Sequence, residues 1–261
     1  MTEITNSDGN IVVASDTYSP LRRAFRKFVH WASYNFILSS KRTRTVKVDD
    51  LNLTVPPTVF HPGIFVTSKI FANYLRSSDL RGKTVVEVGT GSGVLALSAA
   101  RAGARKVLAL DINPNAAAAA SANARANGLA DIVEARTSDL FSAVGEDELF
   151  DVIISSPPSF GGEPRDMSDR AWHAGDGYRH IQPLFRQAFD HLKQDGEMFV
   201  LLSSDTNIAL LESLARQAGF DWKLVTRKSI WVEDFLIFRS IKQAKAATRE
   251  GNGTAKMKTP A

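Results

Sequence analysis

The chain has 261 residues, of which 44% are hydrophobic and none is cysteine, and its formal net charge is +4 at pH 7. This length and apolar content suffice for one large domain with a sizeable core, and they exclude a chain that is disordered throughout. The lack of cysteine excludes disulfide frameworks, thiolate nucleophiles and cysteine-ligated zinc. It also suits a reducing compartment, so we expect a cytoplasmic protein.

The positive charge is concentrated near the C-terminus. Residues 241–261 contain five lysines and arginines against one glutamate, so the rest of the chain is near neutral. We expect residues 242–261 to form a disordered basic tail that is solvated or weakly attracted to polyanions. Residues 1–10 lack the basic-then-apolar order of a secretory signal, and no apolar run approaches the roughly 20 residues of a membrane-spanning helix.

The N-terminal region divides into a leader and a cap. Residues 1–19 show little periodicity and are predicted to be a flexible leader. Residues 21–38 mix apolar and basic residues as an amphipathic helix does, and residues 44–55 alternate as a half-buried strand does. We expect residues 20–58 to form a cap packed on the main domain. An acceptor-binding arm and a helix on a membrane surface remain alternatives for residues 21–38.

Further along, strand and helix patterns alternate. The predicted strands are residues 84–88, 106–110, 132–136, 150–155 and 197–202. The predicted helices are residues 94–101, 115–127, 178–192 and 207–218. This order predicts an α/β fold, a doubly wound and mostly parallel sheet covered by helices on both faces. Residues 222–226 and 235–241 add two strands with no helix between them, which indicates a terminal antiparallel hairpin and seven strands in all.

The densest motif is a glycine loop at the end of the first core strand. Gly89, Gly91 and Gly93 follow Glu87 and precede a helix. Glycines permit a sharp turn and a close ligand approach, and the helix N-terminus favours an anionic group. These features suit the carboxylate of a methionine moiety or a dinucleotide pyrophosphate equally well.

Three acidic residues favour the first of these ligands. Glu87 would attract a cationic amino group and repel pyrophosphate. Asp111 ends the second strand, where it can accept hydrogen bonds from ribose hydroxyls. Asp139 follows the third strand and can accept a hydrogen bond from an adenine amino group while Leu140 packs on the ring.

From about residue 60 to residue 241, the sequence resembles class I S-adenosylmethionine-dependent methyltransferases, and it is similar to the release-factor glutamine methyltransferases and the small-domain methyltransferases. The resemblance implies a Rossmann-like methyltransferase domain over residues 59–241, with S-adenosyl-L-methionine as cofactor. It assigns cofactor contacts to the glycine loop and to the strand ends. These residues are Glu87, Gly89, Gly91, Gly93, Asp111, Ile112, Asp139, Leu140 and Ser156.

The acceptor side carries a related motif, Ser156-Pro157-Pro158-Ser159 followed by Phe160. In the similar families this place holds Asn, Asp or Ser, then Pro-Pro and an aromatic residue. Such a loop draws on the hydrogens of an amide or amino nitrogen and aims its lone pair at the methyl carbon. We predict catalytic roles for Ser156 and Pro157. We expect Ser159 and Phe160 to contact the substrate. Ser156 is shorter than Asn and Ser159 cannot stack, so Phe160 is expected to stack in its place.

A polar loop follows this motif. We predict that Trp172 and Tyr178 form walls of the acceptor pocket, that Asp169 binds the acceptor, and that His173 or Asp169 orients or deprotonates it. Upstream, the segment 59–69 is expected either to close over the cofactor through Phe60, Phe65 or Thr67, or to form a simple turn.

The sequence thus predicts a methyltransferase that acts on a nitrogen, or less readily an oxygen, of a small molecule or a protein side chain. No cluster of residues has metal-ligand spacing, so we expect positioning catalysis without a metal. A nucleic-acid amino group is the alternative acceptor. An NAD-dependent oxidoreductase and a catalytically silent cofactor-binding module are the alternatives from other classes.

Overall fold

The structure is a computed structural model. It describes residues 42–60, 66–230 and 233–243, with the backbone alone for residues 4–5, 11–12 and Val66. The predicted helix over residues 21–38, most of the predicted leader and the tail beyond residue 243 lie outside the described residues.

Eleven strands and five α-helices occur in the described parts of the chain. The strands are β1 (Ile4–Thr5), β2 (Ile11–Val12), β3 (Arg44–Val48), β4 (Leu51–Val55), β5 (Thr84–Val88), β6 (Lys106–Asp111), β7 (Val133–Thr137), β8 (Phe150–Ser155), β9 (Leu192–Ser203), β10 (Phe220–Ser229) and β11 (Asp234–Lys242). The helices are α1 (Val66–Ser77), α2 (Val94–Arg101), α3 (Pro114–Ala126), α4 (Leu184–His191) and α5 (Ile208–Gln217).

Strands β5 to β11 form one seven-stranded sheet in the order β10-β11-β9-β8-β5-β6-β7. Strands β5 to β9 run parallel, whereas β11 pairs antiparallel with both β9 and β10. The predicted doubly wound sheet with a terminal antiparallel hairpin is therefore confirmed.

Alternate side chains of the inner strands β5, β6, β8, β9 and β11 enter two separate cores on opposite faces of this sheet. One core joins the sheet to α1 and α2 through residues such as Phe71 and Leu97. The other joins it to α4 and α5 through Phe185, Leu211 and Trp222. Burial on both faces explains why the central strands read as continuous apolar runs.

The segment 44–55 differs from the prediction of a single strand. It is a hairpin in which β3 pairs antiparallel with β4. Asp49 lies in the turn with φ of 52°, a left-handed conformation that aspartate tolerates in tight hairpin turns. Val48 and Leu51 are both buried although they are three residues apart, so the alternation is interrupted at the turn.

The helix predicted over residues 178–192 begins later than expected. Short 3₁₀ turns occupy Asp169–Ala171 and Asp176–Tyr178, and α4 begins only at Leu184. Pro183 precedes α4, and a proline disfavours helical backbone at the residue before it. The apolar residues upstream of Pro183 belong to a folded loop.

Candidate active site

A cavity of about 490 Å³ lies at the carboxyl edge of the sheet. Residues at or just beyond the ends of five neighbouring strands border it. These residues are Gly89, Asp111, Ser138, Ser155 and Ser203. In parallel α/β sheets this edge is where ligands bind.

The glycine loop forms one wall of the cavity. Gly89 and Gly91 border it with φ of 83° and 54°, a left-handed region that favours glycine. A Cβ atom added to Gly89 would meet no heavy atom within 4 Å. The backbone at Gly89 is therefore open to a close ligand approach, which fits the predicted cofactor.

Gly93 serves a different purpose from the one predicted. It does not border the cavity among the described residues. A Cβ atom on Gly93 would lie 3.0 Å from Ala120 and 3.1 Å from Leu97. Gly93 thus permits close packing of α2 on α3, and a direct cofactor contact remains only a prediction.

Glu87 is buried at the end of β5 and borders the cavity. Its Oε2 accepts hydrogen bonds from the Thr90 hydroxyl at 2.6 Å and from the Ala96 N–H at 2.9 Å. Burial raises the pKa of Glu87 to about 8, although these two hydrogen bonds act in the opposite direction. A cationic ligand group at this position would stabilise the ionised form.

Asp111 links the second strand end to the glycine loop. Its carboxylate accepts the Gly91 N–H at 2.8 Å and the Asn113 N–H at 2.9 Å. Burial raises the pKa of Asp111, and the two N–H groups oppose that effect. Ile112 borders the cavity beside it.

Asp139 and Leu140 also border the cavity, beyond the end of β7. Asp139 is exposed, and Leu140 is half-buried with φ of 50°. This left-handed conformation is uncommon for a bulky side chain such as that of Leu140, and such conformations cluster at ligand sites. Their placement is compatible with the predicted adenine contacts.

Residues between β4 and the first turn of α1 border the cavity beside the glycine loop. Phe60, Thr67 and Ser68 border it, whereas Phe65 lies outside the described residues. Thr58 borders it too, and its carbonyl accepts a hydrogen bond from the Asn113 side chain at 2.9 Å. Sequence reasoning missed Thr58, which has φ of 70°.

Ser156, Pro157, Ser159 and Phe160 border the other half of the cavity, which we call the acceptor half. The Ser156 side chain is exposed there and bonds to no described residue. Phe160 pairs with the polar loop, since its N–H donates to the Trp172 carbonyl at 2.9 Å. Its ring centroid lies 6.4 Å from that of Trp172 and 5.8 Å from that of His173.

Two of the predicted substrate contacts lie behind the cavity instead of in its wall. Within the described chain, neither Tyr178 nor Asp169 borders it. Tyr178 is buried, and its hydroxyl donates to the Ser159 carbonyl at 2.8 Å while accepting the Asn207 N–H at 3.0 Å. Tyr178 therefore fixes the proline loop and does not form the pocket wall.

Asp169 is buried beneath His173, which borders the cavity. The Asp169 carboxylate accepts hydrogen bonds from Arg165 Nε at 2.8 Å and Nη2 at 3.0 Å, and it lies 3.1 Å from His173 Nδ1. Burial opposes ionisation, but the Arg165 hydrogen bonds prevail and lower the pKa of Asp169 to about 2. An ionised carboxylate only accepts hydrogen bonds, so Nδ1 of His173 carries a proton.

Sequence reasoning missed several residues of the acceptor half, among them Ser203, Glu233, Arg170 and His180. Ser203 ends β9, so the rule that ligands bind at strand ends could have found it. Glu233 directly precedes β11, and the pairing of β11 with β9 brings Glu233 to the cavity. Its Oε2 accepts the Ser203 hydroxyl at 2.5 Å.

The family model described as "Methyltransferase small domain" matches residues 50–219, well over half of the chain. The chain belongs to this family. The predicted S-adenosylmethionine-dependent methyltransferase family is thereby confirmed, and the bounds of residues 59–241 for its domain stay a prediction. Membership also decides against the nicotinamide cofactor that the glycines alone left open.

Curated relatives include ribosomal protein L11 methyltransferases. That of Vibrio parahaemolyticus is 42% identical over 87 residues, which cover 33% of this chain and 30% of the relative. That of Aliivibrio salmonicida is 42% identical over 109 residues, which cover 41% of this chain and 36% of the relative. The chain thus matches well under half the length of these curated relatives.

Among solved structures, the T. Thermophilus 16S rRNA methyltransferase in complex with AdoMet and guanosine aligns with a TM-score of 0.60 at 20% identity, over 77% of this chain and 50% of that one. These values show that the methyltransferase small domain shares its fold with that enzyme.

In the parts of the chain that the structure describes, no three His, Asp or Glu residues form a metal-binding group. No helix there is long and apolar enough to cross a membrane.

Proposed function

We propose that the protein transfers the methyl group of S-adenosylmethionine to a nitrogen of an acceptor bound in the acceptor half of the cavity. The observation that carries this proposal is the Asp169–His173 pair, because His173 borders the same cavity as the glycine loop and the Ser156–Phe160 loop. One cavity is thus bordered by the residues that we propose for the donor site, for the acceptor loop and for the proton acceptor.

The half of the cavity beside the glycine loop, which we call the donor half, would hold the cofactor. Gly89 leaves room for the methionine part, Glu87 would face its ammonium group, and Asp111 would accept from the ribose hydroxyls. Asp139, Leu140 and Ile112 would contact the adenine. When bound, S-adenosylmethionine supplies a sulfonium methyl group whose bond to sulfur breaks as the acceptor nitrogen bonds to the carbon.

The acceptor half would orient that nitrogen. The free Ser156 hydroxyl and the carbonyl of Pro157 would accept its hydrogens, and Tyr178 holds the loop in place through Ser159. A planar acceptor would pack against the rings of Phe160 and Trp172, which both border the cavity. Exclusion of water and alignment of the reacting atoms supply most of the rate in such a site.

His173 would take the proton that the acceptor nitrogen loses. Because Asp169 is ionised and holds the Nδ1 proton, the lone pair of the neutral imidazole lies on Nε2. Nε2 bonds to no described residue. Asp169 is a positioning residue in this scheme, and Arg165 keeps it ionised.

A small molecule is the acceptor class that we favour over a protein side chain. A second candidate is the amino group of a nucleic-acid base, because Phe160 and Trp172 present two rings beside the acceptor loop. The T. Thermophilus enzyme with the same fold was solved with guanosine. Ribosomal protein L11 is supported as an acceptor only by the partial similarity of this chain to ribosomal protein L11 methyltransferases.

The test combines binding with catalysis. Calorimetry with S-adenosylhomocysteine should show binding that Asp111→Ala abolishes. Transfer of labelled methyl from S-adenosylmethionine is then measured with aromatic amines, nucleosides and RNA. His173→Gln should lower transfer by about 10²- to 10⁴-fold while S-adenosylhomocysteine binding is kept.

The matched control is His191→Gln, since His191 bonds to the Glu148 carbonyl and lies outside the cavity lining. Transfer by this variant should equal that of the wild type. Lack of S-adenosylhomocysteine binding by the wild type would refute the proposal as a whole. Full transfer by His173→Gln would remove the proton-accepting role alone.

A further inference from the structure

Three arginines lie on the loop between residues 163 and 180, and they differ in their partners. Arg165 binds the Asp169 carboxylate, and Arg179 binds that of Glu163. Arg170 is half-buried and borders the cavity, yet no carboxylate of the described residues lies within 4.0 Å of its guanidinium. The one arginine of this loop without a counter-ion is therefore the one that faces ligand space.

The Arg170 guanidinium is held in place by His180. Its Nη2 lies 3.2 Å from His180 Nδ1, and because arginine can only donate, Nδ1 accepts. His180 is itself fixed, since its N–H donates to the Ala174 carbonyl at 2.9 Å. A Cβ atom on Gly175 would lie 2.9 Å from the His180 ring, so the glycine lets this ring pack closely.

Among the described residues, the remaining side-chain donors of Arg170 have no acceptor. The nearby carboxylate of Asp169 is already used by Arg165 and His173. Glu233, which also borders the cavity, accepts the Ser203 hydroxyl and lies more than 4.0 Å from the Arg170 guanidinium. A cation that is partly desolvated and has no counter-ion among the described residues gains most from an anion supplied by the ligand.

We propose that Arg170 binds a carboxylate or phosphate group of a small planar acceptor whose ring lies against Phe160 and Trp172. This inference rests on the proposed function and narrows its acceptor to an anionic compound. The planar fork of arginine matches both anions with two parallel hydrogen bonds. A lysine side chain as acceptor is disfavoured, because its ammonium group would approach the unneutralised Arg170.

The experiment titrates two simple probes, benzoate and inorganic phosphate, into protein saturated with S-adenosylhomocysteine, and follows binding by calorimetry. The wild type is compared with Arg170→Gln and with Arg179→Gln as the matched control. We expect one of the anions to bind the wild type and the control alike, and to bind Arg170→Gln about tenfold more weakly or not at all. A preference for benzoate identifies the ligand group as a carboxylate, and a preference for phosphate identifies it as a phosphate ester.

Arg170→Lys provides a second variant that keeps the charge and removes the fork, and it should bind with intermediate affinity. Binding of S-adenosylhomocysteine by each variant shows that its fold is intact. If neither anion binds the saturated wild type, or if both variants at position 170 bind as the wild type does, the inference is wrong. Failure of the wild type to bind S-adenosylhomocysteine would instead refute the proposed function.

Discussion

Glu87 is a buried carboxyl group whose protonation should make stability depend on pH. In the folded protein burial raises the pKa of Glu87 to about 8, from an ordinary value of 4.5. The folded state therefore keeps a proton that the unfolded chain releases above pH 4.5. The resulting stability is fully present below pH 4.5 and is lost as the pH rises through 8.

We predict that the free energy of unfolding of the ligand-free protein falls from pH 5 to pH 8.5 by an amount on the order of a few kcal/mol that Glu87→Gln does not show. Urea titration at several pH values measures it. The difference between the wild type and Glu87→Gln isolates the contribution of Glu87, because the raised pKa of Asp111 contributes in the same direction to both proteins. Parallel pH profiles for the two proteins would show that Glu87 is ionised throughout.

At the scale of elements, helix α3 holds the cap hairpin through asparagine side chains. Asn123 accepts the Thr54 N–H at 2.8 Å and donates to the Thr54 carbonyl at 2.9 Å, so it pairs with β4 as a neighbouring strand would. Its amide also donates to the Ser92 carbonyl in the glycine loop at 2.9 Å. One side chain thus joins the hairpin, the helix and the cofactor loop.

Asn123→Ala should lower the free energy of unfolding by about 1–3 kcal/mol, because it leaves buried backbone groups without partners. It should also weaken S-adenosylhomocysteine binding, since the Ser92 backbone loses its anchor. Asn127→Ala is the matched control, because Asn127 pairs with Asn52 in the same way but does not reach the loop. Urea unfolding and calorimetry test both effects. Equal losses of affinity in the two variants would contradict the coupling.

The sequence predicts the strands of the sheet better than it predicts the structure of the loops. Strands buried on both faces need apolar runs, so β5, β6 and β8 are recognisable from residues 84–88, 106–110 and 150–155 alone. Gly89 and Asp111 are recognisable for a similar reason, because strand ends of a parallel sheet meet at one edge.

The residues that border the acceptor half could not be predicted from apolar runs and strand ends. Tyr178 and Trp172 look alike as loop aromatics, yet only the folded loop directs Trp172 to the cavity and Tyr178 to the Ser159 carbonyl. Arg170 and Arg179 are likewise indistinguishable until Glu163 is seen to neutralise one of them. Such distinctions depend on contacts within a 3₁₀ and turn segment, which has no periodicity to interpret.

At the scale of the whole molecule, the two cores share a single sheet and contact it from opposite sides. Phe71 is fully buried in the core with α1 and α2, and Phe185 is buried in the core with α4 and α5. Adjacent residues of one strand, such as Phe199 and Val200 of β9, enter different cores. Loss of either core should therefore remove support from the sheet on which the other depends.

We predict that Phe71→Ala and Phe185→Ala each lower the free energy of unfolding by about 3–5 kcal/mol, and that each destabilises both cores together. Native-state hydrogen exchange of the slowest amides in α2 and α4 measures this. In either variant, exchange should accelerate by the same factor in the two helices, because both open only when the sheet unfolds. Acceleration confined to α2 in Phe71→Ala and to α4 in Phe185→Ala would show instead that the two faces unfold independently around a sheet that persists.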